Sequence, residues 1–179
     1  MYSNTHPVSV LKFCPRCGSN RFPATGSRSF ECADCSFNYF VNSSAAVAVL
    51  LFNEKGELLL TRRAFKPYLG MLDLPGGFIE PMETGEQAAV REIQEELGIE
   101  IHSLEYFGSF PNEYVFSGFS VFTLDMAFLA KTESLNHITP MDDVASFEFI
   151  KPQDVDLKEL PSISMKNILK KLIQREGTN

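Results

Sequence analysis

The 179-residue sequence has no tryptophan, and its 16 lysines and arginines are outnumbered by 23 aspartates and glutamates. The formal net charge of -7 argues against a mainly electrostatic nucleic-acid binder, which carries a basic excess. No apolar run approaches the roughly 20 residues of a membrane-spanning helix. Residues 1–11 lack the charged segment and apolar core of a secretory signal. The expected compartment is therefore the cytoplasm, with no membrane partner. There is no internal repeat and no low-complexity segment. A chain of this length that is 44% hydrophobic can bury a sizeable core, and suits one globular domain with a small attachment. Residues 1–10 are polar and expected to be loose.

Four cysteines are present, in two pairs: Cys14-Pro-Arg-Cys17 and Cys32-Ala-Asp-Cys35, with 14 residues between the pairs. That is close to the spacing of a four-thiolate zinc site. Disulfides do not suit a chain that otherwise reads as cytosolic. A redox motif uses one C-x-x-C beside a βαβ unit, whereas two knuckles stand here in a short, loop-rich segment. Residues 11–40 hold too few apolar side chains to fold on their own core, and a metal would supply that stability. Four sulfurs fill a tetrahedral zinc and leave no open position, so one structural zinc on Cys14, Cys17, Cys32 and Cys35 is expected. The segment is similar to a zinc ribbon. Arg16, Arg21 and Arg28 make it slightly basic, with a nucleic-acid role as the minor alternative.

The rest of the chain is organised around residues 77–99, which hold Gly77, Glu83, Arg91, Glu92, Ile93, Glu95, Glu96, Gly98 and Ile99 at fixed places in the pattern G-x5-E-x7-R-E-(apolar)-x-E-E-x-G-(apolar). Thr84 and Gln87 are spaced as a capping box that opens a helix. Gly98 suits the left-handed position just past the helix end. Ala89, Ile93 and Leu97 recur every four residues and give the helix an apolar face. Glu92, Glu95 and Glu96 then project beside one another, and each such like-charge pair costs a helix roughly 0.2–0.5 kcal/mol. A divalent cation offsets that repulsion, since carboxylates and water are the ligands magnesium prefers. Arg91, four residues before Glu95, can orient one carboxylate.

This pattern matches the Nudix box in full, and the chain resembles the Nudix hydrolases over about residues 44–175. The resemblance implies an α+β fold, an α/β/α sandwich around a mixed sheet, preceded here by the ribbon. It implies cleavage of a phosphoanhydride in a nucleoside diphosphate linked to another group, with two or more magnesium or manganese ions per site. Glu92 and Glu96 are the expected main ligands, with Glu95 and the Gly77 carbonyl assisting. Glu83 is expected to hold Arg91. A late acidic loop supplies the general base in many members, and Asp143, with Asp142 beside it, stands at about that place; Glu133 and Glu148 are weaker candidates. Leu72 occupies the place of a common family tryptophan.

Around the box, strands are expected at 45–52, 57–63, 101–110, 114–130 and 146–150, with Pro111-Asn112-Glu113 as a break, a polar loop at 132–143 and a closing helix at 164–175. A ribbon ahead of this domain is similar to the NADH pyrophosphatases. Those carry Ser-Gln-Pro-Trp-Pro-Phe-Pro after the box, where this chain has Ser109-Phe110-Pro111-Asn112-Glu113-Tyr114. Those enzymes also have a longer N-terminal domain than is expected here. ADP-ribose, NADH and FAD are equally open as substrates, and Phe65, Tyr68, Phe110 and Tyr114 could stack on a base. The alternatives are a nucleoside triphosphate hydrolase and a non-catalytic nucleotide sensor, although sensors tend to lose box glutamates and none is lost here. The expected partner is a small nucleotide; many family members also form homodimers.

Overall fold

The computed structural model describes residues 2–133, 135 and 137–176. It divides into two compact units, Met1–Ser43 with Glu113–Phe122, and Ser44–Asn112 with Thr123–Asn179. The first unit begins with a helical turn, α1 (Pro7–Val10), and carries the two-stranded antiparallel pair β1 (Ser29–Glu31) and β2 (Asn38–Phe40). Its small core consists of Cys14, Phe22, Phe30 and Cys32. The expectation of a loose N-terminus is corrected. His6 caps α1 by accepting the Val8 N–H, and the Thr5 carbonyl accepts from Ser120 N–H.

The second unit contains β3 (Ser44–Leu51), β4 (Leu58–Arg63), β5 (Leu72–Asp73), α2 (Gly85–Leu97), β8 (Val144–Ile150) and α3 (Ile163–Glu176), together with most of β6 (Ser103–Phe116) and β7 (Phe119–Lys131). Two three-stranded sheets form, in the orders β3-β7-β6 and β5-β4-β8. β3 runs parallel to β7, while β4 is antiparallel to β5 and β8. The strand content is therefore mixed.

Side-chain alternation explains why 45–52 reads as one unbroken apolar run. Val47, Val49 and Leu51 face one core, with Ala88, Ala89, Ile93 and Leu97 of α2. Ala48 and Leu50 face the other, with Ile168, Leu169 and Leu172 of α3. A strand covered on both faces has no polar side to show. Helix, sheet and helix thus stack as three layers, the expected α/β/α sandwich.

One strand boundary differs from the sequence expectation. Pro111-Asn112-Glu113 does not break the chain; β6 continues through it to Phe116, and the turn comes at Ser117-Gly118. β6 is the edge of its sheet, and an edge strand tolerates a proline whose missing N–H faces no neighbour. Ser117 and Gly118 both have positive φ, 50° and 74°, as a two-residue hairpin loop requires. In the loop expected at 132–143, residues 134 and 136 lie outside the described residues.

Candidate active site

The box begins with an extended segment laid along β3. Val47 N–H donates to the Gly77 carbonyl at 2.8 Å, Val49 N–H to the Pro75 carbonyl at 2.8 Å, and Ile79 N–H to the Ala45 carbonyl at 3.1 Å. Two glycines make this approach sterically open. Gly76 has φ 142°, and a Cβ there would overlap the Val47 carbonyl oxygen. A Cβ on Gly77 would overlap the Glu92 carboxylate. The Gly77 carbonyl, engaged by one N–H, keeps a second lone pair.

α2 then starts as the sequence indicates. Thr84 and Gln87 form a reciprocal capping box, and Gly98 ends the helix at φ 67°. Arg91 is the hub of its polar face. Its Nε and Nη2 donate to the two oxygens of Glu83 at 2.8 and 2.9 Å. Its Nη1 donates to Glu92 at 2.8 Å and Glu95 at 3.0 Å, and Nη2 also reaches the Phe78 carbonyl at 3.0 Å. The guanidinium holds Glu83 below its ordinary pKa. Burial pushes Glu92 the other way, against the pull of Arg91.

Glu96 is the most unusual group. It is 6% exposed and accepts a hydrogen bond from Gly76 N–H at 3.0 Å. Burial raises its pKa to about 9, aided by the charges of Asp143, Asp73 and Glu92 and opposed by the Gly76 amide. An acid so placed calls for a cation. The donor set of Glu92, Glu95, Glu96 and the Gly77 carbonyl consists entirely of hard oxygens, which fits a hard divalent ion such as magnesium.

The late acidic loop is carried to this cluster by the end of α2. Thr139 N–H donates to the Leu97 carbonyl at 3.0 Å and Met141 N–H to the Glu96 carbonyl at 2.9 Å. These amides satisfy helix carbonyls that would otherwise lack partners. Asp142 follows at φ 51°, and its charge acts on Glu92, while that of Asp143 acts on Glu96.

Two members of the cluster lie outside the residues that the sequence singles out. Asp73 is buried, and burial raises its pKa to about 6 against the pull of Arg63. Arg63 donates to Asp73 at 2.7 Å and stands 3.5 Å from Asp143. The signal for Asp73 is an acid interrupting the apolar run Met71-Leu72-Asp73-Leu74. Arg63 closes a strand of three leucines and offers no comparable mark.

Other candidates are placed elsewhere. Glu148 pairs with Arg62 at 2.7 Å, and Glu133 lies 3.8 Å from His102. Phe110 is buried in the core beneath α3, its ring stacked on Phe107. Tyr114 lies in the first unit. Phe65 and Tyr68 are exposed on the loop at 64–70. In the first unit, Cys14 and Cys35 sulfurs are 3.8 Å apart and those of Cys17 and Cys32 are 3.6 Å apart. With Zn–S bonds of about 2.3 Å, a tetrahedral edge is about 3.8 Å, so the four thiols fit that ion.

The glutamate helix and its glycine approach carry the Nudix box, and the family model for the NUDIX domain matches residues 42–172, so the chain belongs to the Nudix family. Its relatives point to one branch. It is 32% identical over 178 residues to the NAD-capped RNA hydrolase NudC of Haemophilus influenzae, covering 94% of this chain and 61% of that one. It is 31% identical over 122 residues to the NudC of Vibrio atlanticus, covering 68% and 45%. The chain thus spans about half the length of these curated relatives. Among solved structures, a Nudix hydrolase from Nitrosomonas europaea aligns with TM-score 0.64 at 25% identity, covering 90% and 88%. The NUDIX domain of Shewanella oneidensis NrtR, in complex with ADP ribose, aligns with TM-score 0.59 at 20% identity, covering 76% and 90%. Among the described residues no helix is long and apolar enough to cross a membrane.

Proposed function

We propose that this chain hydrolyses the phosphoanhydride of a nucleoside diphosphate derivative of the ADP-ribose, NADH or FAD type. The observation that carries this reading is the approach of two glutamates of α2 to the glycine turn: Glu96, buried, accepts from Gly76 N–H at 3.0 Å, and the Glu92 carboxylate lies where a Cβ on Gly77 would stand. Glu92 and Glu96, assisted by Glu95 and the Gly77 carbonyl, would hold magnesium or manganese. Such ions, when bound, neutralise phosphate oxygens and acidify a water.

The chain's own residues do the rest. Arg91 fixes the rotamers of Glu92 and Glu95, and Glu83 fixes Arg91. Asp143 accepts the proton of the attacking water as general base. Phe65 and Tyr68 offer faces on which a base can stack. The first unit carries one structural zinc on its four cysteines. The named relatives act on NAD-capped RNA, so a capped oligonucleotide belongs among the candidate substrates.

The test is a panel assay with magnesium or manganese. ADP-ribose, NADH, FAD, NAD-capped RNA, dinucleoside polyphosphates and nucleoside triphosphates are offered, and products are read by ³¹P NMR. Two phosphomonoester products from a diphosphate-linked substrate are expected, with loss of turnover in Glu92→Gln. Tight nucleotide binding without turnover on the whole panel would overturn the enzyme reading.

A further inference from the structure

Arg63 stands at the end of β4 and uses three different nitrogens on three different parts of the second unit. Its Nε donates to the Pro67 carbonyl at 3.2 Å, in the loop at 64–70 that exposes Phe65, Tyr68 and Leu69. Its Nη1 donates to the buried Asp73 of β5 at 2.7 Å. Its Nη2 lies 3.5 Å from the Asp143 carboxylate, and its charge reaches Glu96.

The backbone doubles these ties. Ala64 N–H donates to the Asp143 carbonyl at 2.7 Å, and Gly70 N–H donates to the Arg63 carbonyl at 2.9 Å. The aromatic loop and the acid loop are therefore joined to each other at both backbone and side-chain level, with Arg63 at the junction. The loop itself is strained, since Tyr68 holds φ 69°, and a strained loop keeps one shape only where its neighbours hold it.

We propose that Arg63 is a positioning residue that couples the aromatic loop at 64–70 to Asp143, so that the face offered to a nucleotide and the group offered to the attacking water move as one piece. The proposal rests on the hydrolase reading above. A planar guanidinium presents donors in several fixed directions, whereas lysine has a single nitrogen. Arg63→Lys therefore keeps the charge and breaks the junction. Arg62 provides the matched control. It sits on the same strand and also holds the loop, through the Gly70 carbonyl at 2.9 Å, but its acidic partners are Glu148 and Glu159.

Two measurements test the coupling. The first is amide hydrogen exchange without substrate. In Arg63→Lys the Ala64 and Gly70 amides should exchange at least about tenfold faster, while the Ala88 amide inside α2 keeps its rate. The second is a double-mutant cycle on the best substrate. Arg63→Lys should lower kcat at least about tenfold, and Arg62→Lys less than about twofold. In an Asp143→Asn background, Arg63→Lys should lower kcat by less than about a further twofold, because residues acting as a unit are not additive. A merely structural role would lower the melting temperature and give additive losses. Unchanged exchange at Ala64 and Gly70, or full additivity in the cycle, overturns the proposal. A parent protein that turns over nothing removes the hydrolase reading, and the exchange result still decides the coupling.

Discussion

Replacing Glu96 by glutamine in the metal-free protein tests the electrostatic design of the site with a number attached. Glu96 keeps its proton up to a pH of about 9 in the folded chain, against an ordinary value of 4.5. A folded pKa raised above the unfolded one gives stability that is complete below pH 4.5 and drains away as pH rises toward 9. At pH 7 the unfolded chain has released this proton and the folded chain has not, a difference of roughly 3 kcal/mol against folding. Glutamine has the shape of the protonated acid, can still accept from Gly76 N–H, and carries no such cost. The amide's two N–H groups need partners of their own and reduce the benefit, so a net gain of about 1–3 kcal/mol is expected. For a chain of this size that raises Tm by roughly 3–10 °C. The assay is thermal unfolding with a chelator, from pH 5 to pH 9. The Tm of the parent should fall across this window more steeply than that of Glu96→Gln, and the two curves should meet near pH 5. Added magnesium should then narrow the gap, since a cation at 100 times its Kd stabilises the parent by about 2.7 kcal/mol and the variant by less. A variant that is less stable than the parent at pH 7 without metal, and parallel to it in pH dependence, would refute the reasoning.

Other outcomes follow from single contacts. Met82 is fully exposed at φ 72°, so Met82→Gly should raise stability by about 1 kcal/mol in thermal unfolding. Gly76→Ala should push the approach off β3 and abolish turnover, with α2 still visible by circular dichroism. Phe65→Ala should raise KM more than it lowers kcat, because stacking serves substrate and transition state alike. Glu86→Gln, on α2 but outside the cluster, should leave kcat and KM unchanged. Elemental analysis of reduced protein should find one zinc per chain, and Cys17→Ser should speed amide exchange in residues 11–40 while leaving that of α2 unaltered.

Local chemistry made much of this molecule readable. The capping box of Thr84 and Gln87, the left-handed Gly98 and the four-residue recurrence of Ala89, Ile93 and Leu97 are each short-range signals, and each defines part of α2. The double cysteine pairs are equally local. What stayed hidden depends on neighbours distant in sequence. Pro111 reads as a break until β6 is known to be an edge strand. Phe110 reads as an open aromatic until α3 covers it. Arg63 and Asp73 belong to different strands, and their pairing exists only through the β4–β5 register. Asp143 was reachable by analogy of place, but the reason for its position, two amides fastened to the end of α2, lies in the folded backbone.

Those two fastenings also mark a division within the connection from β7 to β8. From Thr139 onward the chain is moored to the helix that carries the glutamates, so the acid pair inherits the helix's rigidity. Before Thr139, the described residues Leu135 and Ile138 meet the same helix through apolar packing instead, against the core that Ile93 and Leu97 build. A polar tether sets the place of the acid pair, and an apolar one holds the chain that leads to it.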